Sequence, residues 1–365
     1  MPMKYDINKL SLEEKIGQMI IIGLNTEDAV NHLAEMIQKY KIGGILLYKK
    51  NYKTYEEMIN LINQIKALNR KNKIPICISI DQVGGRVNRM PNEFKNLPVA
   101  SKLAEKSGKK DMVKIAGEIT GSMLHKTGIH MDFAPVLDIK RFKDKQAIGD
   151  RAYSENVEEV SKYGIEYMKA LQKYDVMSIA KHFPGHGATK EDSHFRLPKI
   201  ECDIEKLEKE DMIPFKKAIE NKVDGILVGH LRITKVTGKI PASLSKRFIT
   251  KYIRKKYRYN GLVITDDMRM KGMRMRYGKN RAIKKAFMAC NDIIVFKYDD
   301  DIRVIEKIVA LVKERKLEEK RVNKSVRRIL ALKEKYHVND EMIKLDKNFI
   351  ETINHEIEAV REEVL

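Results

Sequence analysis

The residues best suited to proton transfer lie in one segment near the middle of the chain. This segment begins at Lys181-His182 and contains Asp192-Ser193-His194. In an extended loop, residues two positions apart point to the same side. The Asp192 carboxylate can then accept a hydrogen bond from one ring nitrogen of His194, which leaves the other nitrogen for proton transfer. The two residues are therefore a candidate general acid and base if the fold brings them to a site.

A zinc site is a second interpretation of the same segment. His182 and His186 are four residues apart, and this spacing suits two zinc ligands on one helix. Pro184-Gly185 lie between them, however, and proline breaks a helix. No suitably spaced cysteine lies nearby. We therefore expect no metal at this segment.

Eight short apolar runs recur along the chain, and longer amphipathic stretches separate them. The runs are residues 19–24, 44–48, 76–81, 130–135, 177–182, 225–230, 262–266 and 292–297. Helix-like patterns cover, among others, residues 55–67, 157–173, 204–221, 244–256 and 318–336. Eight strand–helix units in 365 residues predict an α/β fold, namely a (β/α)8 TIM-like barrel.

Four of the eight runs end in an aspartate or a histidine. The residues at these ends are Asp81, Lys181-His182, His230 and Asp266-Asp267. Barrel enzymes carry their catalytic groups at the C-terminal ends of the strands, so these residues would share one face of the barrel. Asp192 and His194 follow the fifth run and would lie on that face too. The sequence therefore predicts an active site there.

The chain shows no Pro/Gly/Ser-rich linker that would divide it. We predict a catalytic barrel domain over residues 1–338 and a helical C-terminal extension, packed on the barrel, over residues 339–365. No apolar run is long enough to span a bilayer, and no signal-peptide pattern is present. With three isolated cysteines, which suit a reducing compartment, the expectation is a cytoplasmic protein.

The formal charge of +21 raises the question of an anionic partner. Lysines are scattered along the whole chain, without the concentration and aromatic interleaving typical of nucleic-acid binders. We therefore expect a solvated basic surface and no nucleic-acid partner. A non-catalytic barrel that binds nucleic acid or an anionic wall polymer remains an alternative.

Seven segments carry a resemblance to a known family. They are Leu12-Glu13-Glu14-Lys15-Ile16-Gly17-Gln18-Met19, Asp81-Gln82-Val83-Gly84-Gly85-Arg86-Val87, Asp132-Phe133-Ala134-Pro135-Val136-Leu137-Asp138, Ile148-Gly149-Asp150-Arg151-Ala152-Tyr153, residues 181–194, Pro241-Ala242-Ser243-Leu244-Ser245 and Ile264-Thr265-Asp266-Asp267-Met268-Arg269-Met270. In this order they resemble the single-domain bacterial β-N-acetylglucosaminidases of glycoside hydrolase family 3. Residues 181–194 match the family's Lys-His-Phe-Pro-Gly-His-Gly-x4-Asp-x-His signature, which is long and specific.

The resemblance implies a retaining glycosidase that needs no cofactor. Asp266 would be the nucleophile, with Asp267 as the alternative. His194 would be the acid/base and Asp192 its partner. Retaining hydrolysis needs one group to attack the anomeric carbon and a second to protonate the leaving oxygen and then activate water. An imidazole can serve as the second group near neutral pH.

The resemblance also implies which residues bind the sugar. They are Asp81, Arg89, Arg151, Lys181 and His182, with His230 as a further pocket residue of less certain role. The alternative for each cation is a structural ion pair at the barrel mouth, and Asp138 is expected to be a scaffold group. One position departs from the family pattern, because Val83 stands where many members have glutamate.

The implied reaction releases terminal β-linked N-acetylglucosamine, with peptidoglycan fragments (muropeptides) in cell-wall recycling as the expected substrate. An alternative is phosphorolysis, because a neutral acid/base repels phosphate less than a carboxylate does. The β-glucosidases and xylosidases of the broader family take their acid/base from a second domain, and because the Asp-x-His segment is present here, we do not expect this chain to be one of them. The sequence does not indicate an oligomeric state.

Overall fold

An eight-stranded parallel barrel forms the centre of the computed structural model, which describes residues 5–24, 29–141, 148–189, 197–297 and 303–365. The strands are β1 (Ile20–Gly23), β2 (Gly44–Leu46), β3 (Cys77–Ile80), β4 (Met131–Asp132), β5 (Met177–Phe183), β6 (Gly225–Val228), β7 (Leu262–Thr265) and β8 (Ile294–Lys297). They pair in chain order, β8 pairs with β1, and a parallel bridge from Ile264 to Ile293 joins β7 to the segment before β8. Each predicted apolar run coincides with one strand to within a few residues, so the predicted barrel is confirmed.

Fourteen α-helices are assigned within the described residues. They are α1 (Leu12–Gln18), α2 (Ala29–Gln38), α3 (Tyr55–Asn69), α4 (Ala100–Lys110), α5 (Met112–Lys126), α6 (Val157–Lys173), α7 (Ile204–Lys209), α8 (Ile213–Glu220), α9 (Lys246–Phe248, continuing as a π-helix over Ile249–Lys256), α10 (Lys271–Tyr277), α11 (Lys279–Met288), α12 (Arg303–Lys313), α13 (Glu319–Lys335) and α14 (Lys347–Val364). The strand side chains whose burial is described are all buried, as expected for a parallel sheet covered by helices.

Local signals explain where several helices begin and end. Thr54 and Glu57 form a capping box at the start of α3, which satisfies amide groups that the first turn leaves unpaired. The single helix predicted over residues 204–221 is instead two helices, α7 and α8. Pro214 lies in the first turn of α8, a position that proline favours, and the chain turns between the two helices. A short parallel ribbon of Lys199–Ile200 and Arg232–Ile233, which the sequence did not predict, joins two loops.

The C-terminal helix α14 packs on helices of the barrel. The apolar face of α14 buries Phe349, Ile353, Ile357, Val360 and Val364, and this helix contacts α4 and α5. The preceding extended segment is also anchored, because Asp340 accepts hydrogen bonds from the Ile76 amide (3.1 Å) and Asn69 (2.7 Å). None of the helices in the described ranges is both long enough and apolar enough to cross a membrane.

A buried lysine closes the N-terminal end of the barrel. Lys333 of α13 is 3% exposed and donates hydrogen bonds to Gln18 Oε1 (2.8 Å), the Gly43 carbonyl (2.8 Å) and the Pro75 carbonyl (2.7 Å). These contacts tie α13 to α1 and to the starts of β2 and β3. Burial lowers the pKa of Lys333 to about 8, so the folded state holds this proton less tightly than the unfolded chain.

This pKa predicts how protein stability depends on pH. Between about pH 8 and the ordinary lysine pKa of about 10.4, the unfolded chain binds more protons than the folded state, so stability rises with pH, by up to about 1.4 kcal/mol per pH unit. We expect the free energy of unfolding of the wild type to rise relative to Lys333→Met between pH 7.5 and 9.5, measured by urea denaturation. Lys324→Met, which changes an exposed lysine on the same helix, serves as the control. Parallel pH curves for the wild type and Lys333→Met would contradict the prediction.

Candidate active site

A cavity of about 320 Å³ opens at the C-terminal ends of the barrel strands. We call it the strand-end cavity. Five of the nine residues predicted for the site line it, namely Asp81, Arg89, Lys181, His182 and Asp266. Arg151 and His230 do not appear in its lining. Asp192 and His194 lie outside the described residues.

The turn after β7 holds two adjacent carboxylates in the cavity wall. Asp266 Oδ1 accepts a hydrogen bond from the Asp267 amide (2.8 Å), and Asp267 Oδ1 accepts one from the Arg269 amide (2.9 Å). The backbone is also tied to both neighbouring strands, since the Asp266 amide donates to the Val228 carbonyl (3.3 Å) and the Met268 amide to the Val295 carbonyl (2.9 Å). These hydrogen bonds therefore hold the Asp266 carboxylate in place.

Asp81 forms the anionic centre of a charged group on the opposite side of the barrel mouth. It pairs with the buried Lys181, and Arg89 Nη2 lies 3.7 Å from its Oδ2. Burial alone would raise the pKa of the Asp81 carboxyl, but the charges of Lys181 and Arg89 hold the pKa below its ordinary value. Asp81 is thus ionised at neutral pH and can accept hydrogen bonds from hydroxyl groups.

Two residues that the sequence analysis did not single out hold Arg89 in place. Gln82, which is buried, accepts a hydrogen bond from the Arg89 amide (2.7 Å) through its side-chain oxygen. The Tyr52 hydroxyl donates to the Arg89 carbonyl (3.0 Å). Both bonds fix the loop after β3, so that the Arg89 guanidinium reaches the cavity.

His182 lines the cavity with a buried carboxylate behind it. The ring nitrogen Nδ1 lies 2.7 Å from Asp138 Oδ2, and Asp138 also accepts hydrogen bonds from the His182 and His186 amides. Burial alone would raise the pKa of Asp138, but the nearby imidazoles and these bonds bring it below its ordinary value. The ionised Asp138 therefore orients the His182 ring, while Asp138 itself stays out of the cavity lining.

His230 was expected to line the pocket, but it lies behind the cavity wall. The side chain is fully buried, with Nδ1 2.7 Å from Ser243 Oγ and Nε2 3.1 Å from the Asp267 carbonyl oxygen. Burial lowers the pKa of His230, so the ring is neutral near pH 7. Only Nε2–H can donate to a carbonyl, and Nδ1 then accepts from the Ser243 hydroxyl. His230 thus supports the turn that carries Asp266 from behind.

Arg151 lies beside the cavity, at the end of a short 3₁₀ helix over Gly149–Arg151. Burial lowers the pKa of its guanidinium, and the charges of Asp81, Asp138 and Asp266 oppose this effect. All three carboxylates are therefore within electrostatic range of Arg151. The structure does not bring Arg151 into the lining itself.

Val83 occupies an apolar environment in the loop after β3. It packs against a small cluster of Val136, Ile148 and Ala152. A neighbouring ion pair, Arg86 with Asp150 (2.9 Å), joins the same two loops. Val83 thus serves in hydrophobic packing, and the loop is anchored by this packing and by the Arg86–Asp150 pair.

Tyr48, Arg269 and Lys271 also line the cavity, and the sequence analysis did not predict them for the site. Burial raises the pKa of Tyr48 well above its ordinary value, and the charges of Asp267, Asp81 and Asp266 add to the shift. A Cβ on Gly23 would lie 2.6 Å from the Tyr48 hydroxyl oxygen, so glycine leaves room for this ring. The signal for Tyr48 was present, because it follows the second strand just as Asp81 follows the third.

The cavity therefore combines an oriented carboxylate, Asp266, with an ionised hydrogen-bond acceptor, Asp81, and several cationic donors. Such a set can bind a polyhydroxylated ligand and present a nucleophile to it. Within the described ranges, no group of three or more His, Cys, Asp or Glu side chains could hold a metal ion.

Comparisons with known proteins identify the family of the chain. Residues 11–332 match the sequence model of the glycosyl hydrolase family 3 N-terminal domain. β-Hexosaminidase A of Pseudoalteromonas piscicida is 31% identical over 329 residues, which cover 83% of this chain and 55% of that protein. The β-hexosaminidase of Tolumonas auensis is 29% identical over 263 residues, or 72% of this chain and 77% of that protein. The chain thus spans about half the length of the first relative.

Comparison with solved structures indicates the same family. A glycoside hydrolase family 3 β-N-acetylglucosaminidase from Paenibacillus sp. FPU-7 is 30% identical, with a TM-score of 0.91 over 97% of this chain and 69% of that one. The β-N-acetylglucosaminidase from Thermotoga maritima is 25% identical, with a TM-score of 0.76 over 90% and 68%. Because the family's sequence model matches most of its length, the chain belongs to glycoside hydrolase family 3.

Proposed function

We propose that this chain is a retaining β-N-acetylglucosaminidase with Asp266 as its nucleophile. The observation that carries the proposal is the orientation of the Asp266 carboxylate at the end of β7, in the wall of the strand-end cavity and hydrogen-bonded to the Asp267 amide. Hexosaminidase relatives support the choice of sugar. No metal or organic cofactor enters the proposed reaction.

In the proposed double displacement, Asp266 attacks the anomeric carbon and forms a glycosyl-aspartate intermediate. His194, oriented by Asp192, protonates the leaving oxygen and afterwards deprotonates the water that releases the sugar. The assignment of these two residues rests on the signature in residues 181–194, since both lie outside the described residues.

We assign sugar binding to the charged groups at the cavity. Asp81, ionised through its contact with Lys181, would accept hydrogen bonds from ring hydroxyls. Arg89, Lys181 and His182 would donate to hydroxyls or hold the carboxylates in position. Arg151 would act through its charge on Asp81 and Asp266, beside the bound sugar.

We further propose peptidoglycan fragments as the natural substrate, in cell-wall recycling. Arg269 and Lys271 line the cavity directly after the Asp266-Asp267 turn. An aglycone that carries carboxylates, such as a muramic acid derivative, would be attracted by these two cations. The cytoplasmic location expected from the sequence stays a prediction. It is compatible with Cys77, Cys202 and Cys290, which are unpaired.

The anomeric form of the first product tests the reaction. We expect proton NMR to detect β-N-acetylglucosamine before mutarotation when 4-nitrophenyl N-acetyl-β-glucosaminide is cleaved, because two displacements restore the starting configuration. The same assay with phosphate added should give the same rate and no sugar 1-phosphate. The α-anomer as first product would contradict retention. A sugar 1-phosphate would favour phosphorolysis, and a lack of turnover would favour a binding protein.

A further inference from the structure

A second cavity, of about 650 Å³, lies away from the candidate active site. We call it the basal cavity. Its walls come from the π-helix that continues α9, from α11 and from α13. Asn260 and Asp292, which line it, precede β7 and β8. The basal cavity therefore opens toward the N-terminal end of the barrel, whereas Asp266 lies at the C-terminal end.

Three arginines lie at the floor of the basal cavity, and two of them pair with the same buried carboxylate. Asp292 is fully buried and pairs with Arg254 and with Arg328 Nη1 (3.2 Å). The third arginine, Arg321, donates to the carbonyl of Asn291. Ser325 Oγ donates to Asp292 Oδ1 (2.6 Å), which occupies the carboxylate further. The floor thus carries more positive than negative charge in a partly desolvated place, where an unmatched charge costs free energy.

The rim increases this excess of positive charge. Five lysines line the basal cavity, namely Lys246, Lys285, Lys316, Lys320 and Lys324, and Glu318 is the one carboxylate besides Asp292 among the described lining residues. Lys316 pairs with Glu314 (2.7 Å). No ion pair is recorded for the other four lysines within the described part of the chain. A concave wall of low dielectric focuses the field of such charges and concentrates anions.

The arginines are held in position before any ligand arrives. Arg254 Nη1 donates to the carbonyl oxygens of Tyr259 (2.8 Å) and Gly261 (2.8 Å), while Nη2 pairs with Asp292. Arg254 itself lies in an eight-residue π-helix, a rare helix type that often occurs at functional sites. These contacts fix the positive charge of Arg254 at the floor, so that little side-chain entropy is lost when an anion enters.

We propose that the basal cavity binds a small phosphorylated molecule through its phosphate or diphosphate group. The arginine floor supplies fixed positive charge, and the lysine rim supplies ammonium groups that can donate to phosphate oxygens. A volume of about 650 Å³ exceeds what one phosphate ion needs and falls in the range of small-molecule sites. This site is separate from the strand-end cavity and does not depend on the glycosidase proposal.

Binding of inorganic pyrophosphate, measured by isothermal titration calorimetry, tests this site directly. Lys285→Gln/Lys324→Gln removes two rim charges without touching the Asp292 network. Lys307→Gln/Arg327→Gln removes the same charge from exposed positions outside the basal cavity. We expect the wild type to bind pyrophosphate, the first double variant to bind it at least about 10-fold more weakly, and the second to stay within about 2-fold of the wild type.

Further ligands in the same experiment distinguish the alternatives. Glucose 6-phosphate should bind, and glucose should not, if a phosphate group is what the site recognises. An equal loss of affinity in both double variants would overturn the proposal, because it would mean that only net charge matters. Absence of pyrophosphate binding at millimolar concentration, or binding confined to a long polyanion such as a 20-nucleotide RNA, would overturn it too.

Discussion

Asp266→Asn is expected to lower kcat for 4-nitrophenyl N-acetyl-β-glucosaminide by at least about 10³-fold and to leave the protein folded. The amide cannot form the glycosyl ester, but its oxygen can still accept the hydrogen bond from the Asp267 amide. The backbone contact from Asp266 to Val228 does not involve the side chain. The loss should therefore appear in kcat, while the thermal unfolding midpoint stays close to that of the wild type.

Asp267→Asn is the matched control for this variant. Asp267 Oδ1 accepts the Arg269 amide, and the His230 ring holds the Asp267 carbonyl. Its contacts thus shape the turn, and an amide oxygen can replace the carboxylate oxygen. We expect a loss of activity below about 10-fold. The reverse ranking of the two variants would identify Asp267 as the nucleophile.

Addition of azide to Asp266→Ala distinguishes the loss of a nucleophile from a general distortion of the site. In Asp266→Ala, the cavity left by the carboxylate can admit azide, which would attack the anomeric carbon once. A single displacement inverts the configuration, so the expected product is the α-glycosyl azide. A variant that is merely misfolded or misaligned would not gain this product.

The barrel was predictable because its signals are local and repeat eight times. Each strand is an apolar run, since a parallel strand is covered on both sides. The ends of those runs also located the site, because all strands point the same way and their C-terminal ends meet. For this reason the cavity lining includes four of the predicted residues, namely Asp81, Lys181, His182 and Asp266.

The parts that were not predicted depend on contacts between distant residues. His230 ends a strand as Asp81 does, but its ring turns toward Ser243 and the Asp267 carbonyl, and no spacing in the sequence indicates this direction. The basal cavity is another example. Arg254, Arg321 and Arg328 are far from Asp292 in sequence, and only the tertiary fold, which places the π-helix and α13 beside the start of β8, brings them together.

The structure presents a second Asp–His pair that competes for the role of acid/base. His182 with Asp138 is an Asp–His pair that lines the cavity, whereas His194 and Asp192 carry the family signature. Each pair has an imidazole that can transfer a proton. Substitution of the two histidines should affect kcat/KM differently. Loss of the general acid lowers the rate more on a substrate with a poorer leaving group.

His194→Ala is expected to lower kcat/KM by about 10²–10⁴-fold on a substrate with an alkyl leaving group, and far less on the 2,4-dinitrophenyl glycoside, whose leaving group needs no proton. The value of kcat/KM reports the first displacement, so the later attack of water does not obscure the comparison. His182→Ala, which removes a cavity-lining group oriented by Asp138, should lower kcat/KM by a similar factor on both substrates. In the pH profile, His194→Ala should lose the decline at high pH that deprotonation of the acid causes in the wild type. If instead His182→Ala showed the dependence on leaving group and His194→Ala did not, the catalytic acid would be His182, with Asp138 as its partner.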